Sequence, residues 1–213
     1  MTNQYLNQVA EFHRAFRYRQ PEPVAPDLSD APTNKLRVSL LTEELHELKD
    51  AETRVDQLDA LCDIQYVLSG AVLAWGYRSL VEHTRIVVEL RHIRDFDAHL
   101  AAMLGLVKTM EMVAEMNFQA QMLTLLTQLQ GRLMTAVHSL GFGPVFSDAF
   151  SEVHRSNMSK AWKRGEITAH LTSGNQENYT FWHNDDGTAV CKRDDGKIIK
   201  SPSYSPASLE RFV

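Results

Sequence analysis

The sequence predicts a mainly α protein, a helical bundle with a small antiparallel β meander at its C-terminal end. Three observations carry this expectation. Leucine-rich segments with apolar residues at helical spacing occupy most of the chain up to Lys163. The prolines Pro21, Pro23, Pro26 and Pro32 gather in one short connection instead of interrupting those segments. Beyond Gly165 the pattern changes to short aromatic and β-branched runs separated by Asp-Gly turns.

The first helix is expected over about residues 4–19, where Leu6, Val9, Phe12, His13 and Phe16 recur at helical spacing. His13 reads there as a packing or hydrogen-bonding residue. The prolines then enforce an extended connection. On the second helix, about residues 34–51, Leu40, Leu41, Leu45 and Leu48 form an apolar arc. Glu44 falls inside that arc, Glu47 on its edge and Glu43 further out. The third helix, about residues 56–75, is apolar around most of its circumference and should run through a core. Its carboxylates Asp59 and Asp63 share one stripe with Tyr66 and Gly70, and Asp56 borders it.

After Gly76 a long helical stretch, about residues 80–140, is expected to divide near 95–97 and again near Asn117. Rich in Leu and Met, with Glu111 and Glu115 one turn apart, it reads as a helical hairpin that packs on the bundle or forms a subunit interface. A faint internal echo links residues 71–77, AVLAWGY, to residues 136–142, AVHSLGF. Extended backwards, that register puts Thr124 and Gln128 where Asp59 and Asp63 stand, and the stretch would then complete a four-helix bundle within one chain. A last helix is expected over about residues 147–163, with Ser147 as N-cap and Gly165 as its stop. Residues 179–182, 189–191 and 198–199 are strand candidates around turns at 184–187 and 194–196. The organisation expected is a helical domain over residues 1–170, with an insert at 79–140, and a β extension over 171–213.

The formal net charge of −5 over 213 residues argues against a broad nucleic-acid surface, which requires clustered Lys and Arg. No run approaches the roughly 20 apolar residues of a membrane span, and no basic-then-apolar leader opens the chain, so a cytoplasmic location is expected. Cys62 and Cys191 lie in unrelated segments outside any CxxC motif and read as free thiols.

Burying several carboxylates without compensation costs several kcal/mol or drives their pKa values upward. A divalent cation removes the problem, and an all-oxygen set suits Mg²⁺, with Mn²⁺ as an alternative. The plainer readings are a solvated Glu43 and an Asp56 N-cap with a first-turn Asp59 favoured by the helix dipole. On the last helix Asn157 and Lys160 share the inward face with Phe150 and Val153, and need acceptors. Phosphate oxygens opposite a carboxylate cluster would satisfy both; pairing of Lys160 with the acidic helices and of Asn157 with a backbone carbonyl is the alternative.

These residues, Glu43-Glu44-x-x-Glu47, Asp59-x-x-x-Asp63-x-x-Tyr66 and the segment from Val153 to Lys160, resemble the all-α nucleoside triphosphate pyrophosphohydrolases, which include MazG-like enzymes and phosphoribosyl-ATP pyrophosphohydrolase. The family's second motif is Glu-x-x-Asp; here Ala60 holds the Glu position and Asp59 precedes it, on the same helix face as Asp63. The resemblance implies hydrolysis of a nucleoside triphosphate between its α and β phosphates. It implies Mg²⁺ on Glu44, Glu47, Asp63 and Asp59, water activation by Glu43 or Glu47, and phosphate contacts from Asn157, Lys160 and Arg155. Tyr66 is a candidate substrate contact, and a homodimer or dimer of dimers is expected. Phosphoribosyl-ATP hydrolysis and a nucleotide-binding regulator without catalysis are the alternatives.

Overall fold

The computed structural model describes residues 3–20, 25–89, 92–172, 179–193 and 198–213. Its helical body is built from α1 (Asn3–Ala15), α2 (Ala31–Asp50), α3 (Arg54–Ala74), α4 (Arg78–His83), α5 (Phe96–Glu115), α6 (Gln119–Ser139) and α7 (Phe146–Met158). Short α8 (Arg164–Thr172) is flanked by strands β1 (Trp162–Lys163), β2 (Tyr179–His183), β3 (Thr188–Arg193) and β4 (Ile198–Ile199). Among the described residues no helix is long and apolar enough to cross a membrane.

Local sequence sets the helix ends. Asp30 caps α2 by accepting from the Thr33 amide, and a proline occupies the first turn, where its missing N–H costs nothing. Thr53 and Asp56 form a reciprocal capping box at the start of α3; Asp56 is thus the third helical residue of the box instead of the cap. Both α3 and α6 end in a Schellman motif. Gly76 (φ 75°) and Gly141 (φ 82°) take the left-handed position, and the amides of Tyr77 and Phe142 reach back to the carbonyls of Val72 and Val137 at 2.8 and 2.9 Å.

The stretch after α4 divides near 95–97 as expected, but the helix does not run up to that point. Residues 84–89 and 92–95 run as irregular chain, and α5 begins only at its own cap, Asp95. The break at Asn117 (φ 53°) is where the sequence places it. The resulting α5–α6 hairpin is integral to the body: α5 lies along α2 and α6 along α3, so α2, α3, α5 and α6 form a four-helix bundle in one chain.

The two hairpins repeat at a constant interval of 65 residues. Helices α2 and α3 begin at 31 and 54, α5 and α6 at 96 and 119, with equal lengths in each pair. The caps Asp30 and Asp95 accept from amides at 33 and 98. Gln65 and Gln130, also 65 apart, exchange two amide hydrogen bonds (3.1 and 2.7 Å) in the fully buried centre of the bundle. Each amide meets its own counterpart, as a pseudo-two-fold axis between the hairpins requires. Helices α1 and α7 have no counterpart in the second half; they pack on α3 and on each other, joined by the Tyr5, Phe146 and Phe150 rings.

Helix α7 is shorter than expected. It starts at Phe146 after an N-cap, Val145, that makes no side-chain hydrogen bond, and it stops at Met158 because residues 159–161 turn and Trp162–Lys163 enter the sheet. The sheet has order β1-β3-β2 with β4 also paired to β3, all antiparallel. The hairpin turn at 184–187 places Gly187 at φ 82°. The expected turn at 194–196, like Pro21 and Pro23, lies outside the described residues. Both cysteines are free and buried.

Candidate functional site

The acidic residues of α2 and α3 meet at one end of the first hairpin. On α2, Leu41, Leu45 and Leu48 are buried, Glu44 is half-buried beside them, and Glu43 and Glu47 are exposed. On α3, Asp63 is half-buried and Asp59 exposed, one turn apart, while Ala60 faces the core. Burial holds the Glu44 carboxyl up at about 8, with further upward pressure from Asp63, Glu47, Glu43 and Asp59. Burial likewise raises Asp63 to about 7, reinforced by Asp59 and opposed by Lys160. Asp59 is raised by burial and by Asp56. Five carboxylates thus feel one another across two helices.

They do not close into a coordination shell as they stand. Among the described residues no group of three or more His, Cys, Asp or Glu side chains is arranged to hold a metal ion. The donor chemistry nevertheless fits a hard cation. Glu44 Oε2 is a buried oxygen without a hydrogen-bond partner, and an unsatisfied buried acceptor is costly unless something electropositive occupies its lone pairs.

Helix α7 supplies the opposite wall. Asn157 sits in its last turn and Lys160 in the turn that follows, with Lys160 Nζ donating to Asn157 Oδ1 at 2.5 Å. Burial lowers the Lys160 pKa while Asp63 and Glu44 pull it back up, which places the ammonium in the field of the acids. Asn157 also bonds the Tyr66 hydroxyl. Tyr66 is buried between Phe12 and Phe150, and its hydroxyl lies 3.0 Å from His154 Nδ1. The far nitrogen of His154 lies 3.3 Å from Glu11 on α1. A chain of polar contacts therefore runs from Lys160 through Asn157, Tyr66 and His154 to Glu11. Sequence reasoning missed His154 and Glu11, although His154 stands within the quoted segment and on the face of Phe150.

Arg155 is not brought to the carboxylates. Its guanidinium is bidentate to Glu152 (2.9 and 2.7 Å) and donates to the Pro206 carbonyl at 2.8 Å, tying the C-terminal segment to α7. The hydrogen bonds from Arg155 hold Glu152 down at about 2. Trp75 and Trp162 are core residues, bonded to Asn34 Oδ1 and the Ile199 carbonyl.

The second hairpin carries none of this chemistry. At the interval of 65 residues, Glu43, Glu44 and Glu47 are replaced by Lys108, Thr109 and Met112, and Asp59 and Asp63 by Thr124 and Gln128. A cavity of about 1140 Å³ opens there beside Gln128, Gly131 and Thr135, which correspond to Asp63, Tyr66 and Gly70. Glu89 and Asp95 line it, but none of the five carboxylates of the first hairpin does.

The helical bundle thus carries clustered carboxylates on one hairpin, with an amide–ammonium pair facing them. Residues 9–90 match the family model of phosphoribosyl-ATP pyrophosphohydrolase, a family within the all-α nucleoside triphosphate pyrophosphohydrolase superfamily. The match spans the second half of α1, the whole of α2, α3 and α4, and all five carboxylates; α5, α6, α7 and the sheet lie outside it. It supports a nucleotide pyrophosphohydrolase activity. No curated protein and no solved structure matches the chain.

Proposed function

We propose that the protein hydrolyses a nucleoside triphosphate between its α and β phosphates in a Mg²⁺-dependent reaction, giving a monophosphate and pyrophosphate. The observation that carries this reading is the half-buried Glu44–Asp63 pair, whose raised pKa values mark carboxylates positioned where their own charge is disfavoured without a cation. Glu44, Glu47 and Asp63, with Asp59 in place of the family's second-motif Glu, would hold the metal. When bound, Mg²⁺ supplies charge neutralisation on the phosphates and acidifies a water.

The chain's own residues do the rest. Glu43 and Glu47 are exposed at the rim of the cluster, where either carboxylate accepts a proton from the attacking water. Lys160 carries the charge that meets the phosphates, and Asn157, oriented by Tyr66, supplies a directional donor. Exchange of the Lys160–Asn157 bond for phosphate contacts costs no new desolvation of the ammonium.

The family match favours a second reading, phosphoribosyl-ATP as the substrate of the same site. Incubation with Mg²⁺ and a panel of ribo- and deoxyribonucleoside triphosphates plus phosphoribosyl-ATP separates the two. Pyrophosphate release lost in Glu44→Ala and Asp63→Ala supports the assignment, and the preferred substrate chooses between the readings. Orthophosphate with a diphosphate product would contradict α–β cleavage.

A further inference from the structure

Arg37 lies on α2 seven residues before Glu44, two helical turns or roughly 10 Å along the same face. It is only 5% exposed and has no carboxylate partner among the described residues. Its Nε is buried without a hydrogen-bond partner. Nη2 lies 3.3 Å from Nε2 of buried His13, and the guanidinium carbon stands 5.4 Å from the centre of the Tyr18 ring. A cation–π contact returns only part of what burying a charge costs. His13 offers no counter-charge: burial and then Arg37 itself depress its pKa to about 3, which leaves a neutral imidazole beside the guanidinium.

The fold makes room for this group. A Cβ added at Gly70 of α3 would stand 2.8 Å from Arg37 Nη1 and 3.1 Å from His13 Nε2, so the absent side chain is what admits the guanidinium. Packing of the bundle does not demand the arrangement. In the second hairpin the positions of Arg37 and Gly70 are taken by Ala102 and Thr135, and α1, which brings His13, has no counterpart. The uncompensated cation thus occurs only in the half that keeps the carboxylates.

We propose that Arg37, seated by Gly70 and flanked by His13 and Tyr18, forms a second binding site, specific for a phosphate group. Two sources share this chemistry: a second phosphate carried by a nucleotide whose triphosphate lies on the acidic cluster, and free inorganic phosphate. Tyr18 is the one partly exposed member and marks the side of entry. The site itself stands independently of the proposed catalysis; only the first source rests on it.

Calorimetric titration of the full chain with inorganic phosphate, in EDTA so that the acidic cluster holds no metal, tests the proposal. Saturable one-to-one binding is expected, weakened at least tenfold in Arg37→Met and in Gly70→Ala, and unchanged in Asp63→Asn. Arg37→Met should also melt higher than wild type in anion-free buffer, because it removes an uncompensated charge; a merely structural arginine would not behave so. Steady-state kinetics then separate the sources. A KM raised at least tenfold for phosphoribosyl-ATP and not for ATP in Arg37→Met assigns the site to the substrate's own phosphate. Equal KM values with phosphate binding lost assign it to the free ion. Absence of saturable phosphate binding by wild type, or wild-type binding by both variants, would overturn the site, whatever the turnover assays show.

Discussion

Replacing Asp63 by Asn should stabilise the metal-free protein at alkaline pH and do little at acid pH. In the folded chain Glu44 is held at about 8 and Asp63 at about 7, against ordinary values of 4.5 and 3.8. Unfolding returns both to the ordinary range, so between about pH 4 and pH 8 the unfolded chain binds fewer protons than the folded one. Stability therefore falls as pH rises through that window and levels off above it. At about 1.4 kcal/mol per pK unit, ionising either folded carboxyl costs on the order of 4 kcal/mol. The two costs overlap, because each contains the same Glu44–Asp63 repulsion, and partial solvent access reduces both. Asp63→Asn removes its own share and relieves Glu44, for an expected gain of about 2–3 kcal/mol at pH 8.5, or roughly 5–10 °C in melting midpoint. Scanning calorimetry in EDTA at pH 5 and pH 8.5 measures this directly. Mg²⁺ should reverse the order by stabilising wild type alone. Equal destabilisation of Asp63→Asn at both pH values would refute the claim that these carboxyls are strained by their own charge.

The remaining predictions concern the bundle centre and the α7 wall. Gln65→Leu leaves the Gln130 amide buried without its reciprocal partner and should cost about 1–3 kcal/mol in chemical denaturation. Gln65→Leu/Gln130→Leu should recover part of that loss. Lys160→Ala should raise the nucleotide KM at least as much as it lowers kcat, since the ammonium meets phosphate charge in the ground state as well as in the reaction. Arg155→Ala should leave turnover unchanged while lowering the melting midpoint, because its guanidinium holds Glu152 and the C-terminal segment; a large loss of kcat would restore Arg155 to the site.

The architecture was legible wherever one helix face decides it. Buried Leu41, Leu45 and Leu48 and the stripe of Asp59, Asp63 and Tyr66 follow from helical spacing, and the caps and glycine stops from local residue chemistry. The 65-residue repeat left only the echo around Gly76 and Gly141. Bundle packing asks for apolar volume and not identity, so Leu45 and Met110, or Leu48 and Val113, serve alike, whereas the Asp caps and Gln65–Gln130 keep their identity because they do specific work. Strand β1 was hidden because Trp162 and Lys163 continue the periodicity of α7, and two residues are too few to show alternation. Arg37 reads in isolation as a surface residue. Its burial is a tertiary effect of Gly70, His13 and Tyr18, distant in sequence and brought together by α1 and α3. Arg155 stands away from the acidic cluster for a similar reason: Glu152, one turn earlier, pairs with its guanidinium.

Equilibrium dialysis of Mn²⁺ against the wild-type chain, Glu44→Ala, Asp63→Ala and the control Gln128→Ala tests the metal-binding role of the acidic cluster most directly. Saturable binding in wild type and Gln128→Ala, lost in both acidic-site variants, is expected, because only the first hairpin keeps its carboxylates. Unchanged Mn²⁺ binding in Glu44→Ala and Asp63→Ala would contradict the assignment of the metal to α2 and α3.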